Sequence, residues 1–218
     1  MTRRVLTADA VLFDLDGTLV DSRADIAFSV NHTLAALGRP TLDLRTVERY
    51  VGDGVRQLLA RSAGPMDEPT TARALEIFLP HYLEHCADTT RPYPGVLETL
   101  KRLGGKALAV VTNKPEAHTW KTLRAAGMEN LFQAVLGGDS LATRKPDPEP
   151  LWEALDRMKS SRDRAVMVGD SLVDIRAARA ARVPVVAVTY GFRPAEELSA
   201  AAPDALIQSF KDLTEVLS

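Results

Sequence analysis

The sequence predicts an α/β protein: a doubly wound parallel sheet, a Rossmann-like core, with an α-helical cap domain inserted after its first strand. Three observations lead there. Short, wholly apolar runs recur along the chain, each ends in polar or acidic residues, and stretches with helical spacing separate them. Strands that are apolar throughout are buried on both faces, and their alternation with helices marks a parallel sheet covered on both sides.

The first run, Ala10-Val11-Leu12-Phe13, stops at Asp14-Leu15-Asp16-Gly17-Thr18. It reads as a buried strand that delivers carboxylates to its own C-terminal end. Three similar runs follow: residues 106–111 before Thr112-Asn113, residues 164–168 before Gly169-Asp170, and residues 183–188 before Thr189. A weaker candidate, Ala134-Val135-Leu136, precedes Gly137-Gly138-Asp139. Val96, Leu97, Leu100 and Leu103 carry helical spacing. Pro115, and Pro148 with Pro150, sit where helices begin, and Ser209-Phe210-Lys211-Asp212 resembles a capping box opening the last helix.

Between roughly residues 20 and 90 no strand-like run occurs. Helical patterns cover residues 26–37, 47–60 and 72–83, joined by the turn-rich Gly38-Arg39-Pro40 and Gly64-Pro65-Met66-Asp67. The expected organisation is therefore a core built from residues 1–20 and 91–218, carrying a helical cap of residues 21–90.

The 27 Lys and Arg against 29 Asp and Glu leave a formal net charge of -2, with the basic residues scattered. That distribution gives nucleic acid or an anionic membrane no electrostatic footprint, while a small anionic substrate remains compatible. No run approaches the roughly 18 apolar residues of a membrane-spanning helix. The basic opening from Met1 is interrupted by Asp9 and Asp14, unlike a signal peptide. Cys86 is the single cysteine, so an intrachain disulfide is excluded and a reducing cytoplasm is the expected compartment. A monomer and a homodimer are both compatible with these features.

Ligands of such sheets bind beyond the carboxyl ends of the strands. Asp14 and Asp16 are two apart and so point to the same side of an extended chain. Two carboxylates held that close repel unless a cation or a shared proton intervenes. Taken alone, the stretch reads equally as an Asp-x-Asp-Gly turn. A calcium loop fits less well, because the twelfth position from Asp14 is Asp25 and the intervening Leu19, Val20 and Ala24 are poor ligands. Asp170, with Asp174 one helical turn on, is either a helix cap or a further member of an oxygen cage suited to magnesium. Lys145 lies in a proline-rich loop, ordinarily solvated surface, yet Pro146 stiffens that loop. Thr112 and Asn113 offer a hydroxyl and amides to phosphate oxygens. Each signal is weak singly, and together they are strong.

Asp14-Leu15-Asp16-Gly17-Thr18-Leu19-Val20-Asp21-Ser22, Thr112-Asn113-Lys114-Pro115, Lys145-Pro146, and Gly169-Asp170-Ser171 with Asp174 resemble, in that order, the four motifs of haloacid-dehalogenase-like phosphatases. The resemblance covers essentially the whole chain. Within that superfamily the chain is similar to the bacterial phosphoglycolate phosphatases. Tyr50-Val51-Gly52-Asp53-Gly54-Val55, Gly137-Gly138-Asp139-Ser140, Arg144-Lys145-Pro146, Thr189-Tyr190-Gly191-Phe192 and Pro203-Asp204-Ala205 carry this likeness, much of which sugar-phosphate phosphatases share. Arg182 departs from it, because relatives usually place a glycine there and arginine fits a left-handed backbone poorly.

The resemblance implies a magnesium-dependent (Mg2+) phosphatase acting on a small phosphorylated metabolite, with 2-phosphoglycolate foremost. It makes Asp14 the nucleophile and Asp16 the general acid and base. It gives the metal to the Asp14 and Asp170 carboxylates and the Asp16 carbonyl. It sets Lys145, Thr112 and Asn113 on the phosphate oxygens, with Gly17 and Thr18 of the first motif beside them. Asp174 would fix Lys145 or a metal-bound water. A cap over the site would read the leaving group's carboxylate with amides of Gly52 and Gly54 around Asp53, or with the charge of Arg56 or Arg49. Another small ester (a sugar phosphate, a nucleotide or pyrophosphate) would leave that core mechanism unchanged.

Other readings rank lower. His81 and His85 are four apart, a metal-like spacing, but without a third ligand they read as an exposed helix. Trp120 and Trp152 read as packing residues and Cys86 as inert. A phosphorylated receiver-type switch would place its aspartate on a later strand and lack a lid. A non-catalytic magnesium- or phosphate-binding protein of the same fold would be missing a catalytic position, and none is missing.

Overall fold

Four apolar residues in succession make Ala10–Phe13 the first strand, β1, and all four are fully buried. Side chains of a strand alternate between faces. Val11 and Phe13 accordingly join one apolar layer, while Ala10 and Leu12 join another. In the computed structural model, which describes residues 5–218, β1 is the centre of the sheet. The basic residues 1–4 at the chain's start lie outside the described residues.

From β1 the chain enters a two-residue strand β2 (Val20–Asp21), then four helices: α1 (Arg23–Ala36), α2 (Leu44–Tyr50), α3 (Val55–Ala63) and α4 (Glu68–His85). A second two-residue strand, β3 (Arg91–Pro92), pairs antiparallel with β2. The core then resumes as α5 (Val96–Arg102), β4 (Ala107–Val111), α6 (Glu116–Ala125), β5 (Ala134–Leu136) and α7 (Glu149–Arg157). It ends as β6 (Ala165–Gly169), α8 (Leu172–Ala181), β7 (Val185–Val188), α9 (Ala195–Ala200), β8 (Ala205–Ile207) and α10 (Leu213–Val216).

The six long strands run parallel in the order β5-β4-β1-β6-β7-β8. After β1 the chain builds outward on one side through β4 and β5, then returns to the other side at β6. That reversal makes the crevice beyond β1, β4 and β6 the place where such a sheet binds its ligand. Phe13 stands opposite Val110 on one neighbour and Val168 on the other, so the residues just past each strand emerge together.

Helices cover both faces. Val96, Leu100, Leu123, Phe210 and Leu213 pack on the Val11/Phe13 side, where the Phe13 ring lies 5.8 Å from that of Phe210. Leu151, Leu155, Ile175, Ala178 and Leu198 pack on the other side. Trp120 and Trp152 sit against these two layers as packing residues. Among the described residues no helix is long and apolar enough to cross a membrane.

The helices α1–α4 have an apolar cluster of their own, built on Ile26, Val30, Leu34, Val47, Leu58, Phe78 and Tyr82. One residue from the core side, Phe192, enters it. The pattern over residues 47–60 does not form one helix: the chain breaks at Val51–Gly54, where Gly52 and Gly54 have φ of 124° and 89°. Arg182 does take the left-handed conformation, at φ 59°. It closes α8 with its own N–H and that of Val183 bonded back to Arg179 and Ala178, which satisfies carbonyls the helix end would otherwise leave open. Ser209 and Asp212 form the expected capping box, over a single 3-10 turn that leads into α10. On α4, His81 and His85 meet a third imidazole from α1: the His32 ring stacks on His81 at 3.9 Å.

Both ends of the helical block are tied by one buried carboxylate. Asp25, in the first turn of α1, accepts hydrogen bonds from the N–H and hydroxyl groups of Thr89 and Thr90 at 2.5–3.1 Å. Burial raises its pKa, but these donors outweigh burial and hold it below the ordinary value. A depressed carboxylate contributes stability above its unfolded pKa of about 4, and that contribution is lost as pH falls through the folded value. Asp25→Ala is expected to cost about 3 kcal/mol at pH 7, read as a lowered urea midpoint. The gap from wild type should narrow below pH 4.

Candidate active site

The carboxyl ends of β1 and β6 bring Asp14 and Asp170 together, and the first turn of α8 adds Asp174. One carboxylate oxygen from each lies within 4.8 Å of the others, and all three residues are buried. Lys145 reaches this cluster from the loop after β5. Its ammonium is 2.7 Å from Asp174 Oδ1 and 3.1 Å from Asp14 Oδ1. The contact with Asp14 is an ion pair off hydrogen-bond geometry, which leaves Asp14 Oδ1 buried without a hydrogen-bond partner.

Asp174 is fully committed. Its Oδ1 accepts from Lys145, and its Oδ2 accepts the N–H and hydroxyl of Ser171 in the box that caps α8. Asp170 Oδ2 accepts the Phe192 N–H at 2.7 Å, and Thr18 Oγ1 approaches Oδ1 at 3.4 Å.

Three buried carboxylates around one ammonium are short of positive charge. Burial pushes Asp14 up to about 6; Lys145 opposes the shift while the charges of Asp174 and Asp16 add to it. Burial, then the charges of Asp14 and Asp174, push Asp170 well above the carboxylate range. Lys145 is held above its usual value because the two carboxylates outweigh its own burial. The Asp14 oxygen that receives no hydrogen bond and the hard oxygen donors of Asp14 and Asp170 fit a divalent cation such as magnesium.

The Asp16 carboxylate stands apart from that cluster. Its Oδ1 accepts from Ser22 Oγ at 2.6 Å and from Lys114 Nζ at 3.0 Å. Thr112 and Asn113 follow β4 and line the same pocket. Asn113 Nδ2 donates to the carbonyls of Lys145 (2.8 Å) and Gly52 (2.9 Å), tying the lysine loop to the helical block. Gly52 and Gly54 line the pocket opposite Asp14.

Two glycines give Asp170 its room. A Cβ on Gly17, whose φ is 85°, would fall 2.2 Å from Asp170 Oδ2. One on Gly191 would fall 2.3 Å from Asp170 Cβ. Gly17 and Thr18 therefore serve the carboxylate from behind rather than lining the pocket. Arg56 is not brought to the site: it pairs with Glu68 on the surface of the helical block, because the break before α3 turns it outward. Arg49 is also exposed, and it meets the core through its carbonyl, which accepts from Arg193 at 2.8 Å.

The structure adds residues to which sequence reasoning assigned no role: Lys114, Tyr82, Ser22 and Arg193. Lys114 sits inside a recognised motif directly after β4, which was the available signal. Tyr82 and Arg193 reach the pocket only because α4 and the loop after β7 fold against it.

A doubly wound sheet with buried carboxylates and a lysine at its switch point forms the charged ligand site of an α/β protein. The chain belongs to the haloacid dehalogenase-like hydrolases, whose family model matches residues 11–188. A phosphoglycolate phosphatase of Colwellia psychrerythraea is 39% identical over 214 residues, covering 94% of this chain and 95% of the relative. One of Nitrosospira multiformis is 40% identical, covering 97% and 96%. Among solved structures, a predicted phosphoglycolate phosphatase from Haemophilus somnus superposes with a TM-score of 0.88 at 34% identity, covering 99% of each chain.

The glycine contacts are directly testable. Gly191→Ala is expected to cost about 2 kcal/mol of stability through overpacking. By displacing Asp170 it should also lower hydrolase activity about 100-fold. Thermal unfolding and turnover of the same preparation check both.

Proposed function

We propose that the protein is a magnesium-dependent phosphatase that hydrolyses 2-phosphoglycolate to glycolate and phosphate through an aspartyl phosphate on Asp14. The observation that carries this reading is the buried Asp14 beside Lys145 and Asp170, with Asp16 two residues on and facing the same pocket. The names of the relatives support the substrate.

Asp14, Asp170 and the Asp16 carbonyl would hold the magnesium ion, which supplies charge that offsets repulsion between the anionic nucleophile and the anionic phosphate. An Asp14 carboxylate oxygen forms a bond to phosphorus as the bond from phosphorus to the ester oxygen breaks. Asp16 gives its proton to the departing alkoxide. It then takes a proton from the water that attacks phosphorus, which frees phosphate and restores Asp14. Lys145, Thr112 and the Asn113 amide hold the non-bridging oxygens, where charge stabilisation matters most. Asp174 keeps the Lys145 ammonium in place.

Residues 21–90 act as a cap over this site, with the β2–β3 ribbon as the connection about which it opens and closes, excluding bulk water when shut. The core is residues 1–20 and 91–218. A single buried cysteine suits a reducing compartment, and we assign the enzyme to the cytoplasm.

Phosphate release from a panel of 2-phosphoglycolate, sugar phosphates, nucleotides and pyrophosphate tests the reading. Expected is a strong preference for 2-phosphoglycolate, lost on chelation and restored by magnesium. Asp14→Asn should reduce it by about 10⁴-fold or more. Magnesium-dependent turnover of a different ester would keep the mechanism and discard the substrate.

A further inference from the structure

Lys114 occupies the seam between the sheet and the helical block, and its side chain is 1% exposed. A buried ammonium is costly unless a carboxylate answers it. Its Nζ lies 3.0 Å from Asp16 Oδ1, donates to the Tyr82 hydroxyl, and sits 4.6 Å from the centre of the Tyr82 ring. Among the described residues Asp16 is its one ion-pair partner.

The proposed reaction needs that same Asp16 carboxyl at the ester oxygen. With a neutral leaving group the two demands conflict: either Asp16 stays on Lys114, or the ammonium is left buried and unpaired. A leaving group that carries its own carboxylate removes the conflict.

We propose that Lys114 reads the leaving group, binding its carboxylate and thereby releasing Asp16 to the ester oxygen. The inference rests on the phosphatase reading and adds to it a selectivity for anionic leaving groups. In 2-phosphoglycolate the carboxylate is one methylene from the ester oxygen, so a substrate that meets Asp16 there places its carboxylate beside an ammonium 3.0 Å from Asp16. Two other cations at the site already have partners, and Arg144, beside Gly54, is exposed. Arg193 lines the pocket but donates to the carbonyls of Arg49 and Val51. Lys145 is held between Asp14 and Asp174. The pocket lining also includes Ile26, Leu58 and Phe78, whose side chains offer a carboxylate nothing.

The test compares kcat/KM for 2-phosphoglycolate and for 2-hydroxyethyl phosphate, in which a neutral alcohol replaces the carboxylate. The wild type should favour 2-phosphoglycolate by about 100-fold or more. Lys114→Met should lose most of that preference, with 2-hydroxyethyl phosphate falling less than about 10-fold. Equal losses on both esters would mean that Lys114 only positions Asp16, and would overturn the proposal. A wild type indifferent to the two esters would overturn it as well, without recourse to a variant. Calorimetric binding of glycolate reads the same contact without turnover: loss in Lys114→Met supports the assignment, and unchanged binding ends it. Should the panel favour some other ester, the substrate reading fails by itself. Lys114 is then judged on that panel, where selective loss on anionic leaving groups retains its role and uniform loss removes it.

Discussion

Like charges crowded into a dry place are the constraint around which this molecule is arranged. Three carboxylates meet within 4.8 Å beyond the carboxyl ends of the central strands, and one ammonium answers them. Such a cluster assembles only if the strands carrying it are locked in register, and that lock is apolar: β1 is buried on both faces and paired on both sides. The apolar layers thus supply the stability that the crowded carboxylates draw down. Low dielectric and close spacing raise the energy of Asp14 as an anion, which is the condition under which a divalent cation is welcome.

The helical block meets these strand ends through polar threads rather than through a broad apolar face. Asn113 reaches the Gly52 carbonyl, Arg193 reaches those of Arg49 and Val51, and Lys114 reaches Tyr82. Behind them, Asp25 fastens the start of α1 to the chain's return at Thr89 and Thr90. Contacts of this kind are individually modest and exchangeable with water.

Much of the core could be read from residues alone, because its signals are local. An apolar run ending in Asp14, or one ending in Gly169-Asp170, states both a strand and what stands at its tip. The capping box at Ser209 is equally local. What escaped depended on neighbours far along the chain. The strands β2 and β3 are two residues each, too short for any periodicity, and exist because the block's ends must meet. The strand β8 is only three residues long and only partly buried. Helical spacing ran straight through Val51–Gly54, where two glycines at positive φ break it. The same break turns Arg56 away from the site. Lys114 is a buried cation at the pocket; its motif was recognised but its direction was not. His32 completes a cluster with His81 and His85 that spacing within α4 could not reveal.

Phe192 belongs to two structures at once. Its backbone N–H holds Asp170 Oδ2 at 2.7 Å, while its ring is packed in the apolar cluster of α1–α4. One peptide unit therefore acts as a lever arm between the helical block and a carboxylate of the charged cluster. Any shift of the block that carries the ring with it tugs on Asp170, and any rearrangement at Asp170 is transmitted to the block. The acidic cluster and the seat of the block therefore share one residue, with Gly191 packed against Asp170 beside it.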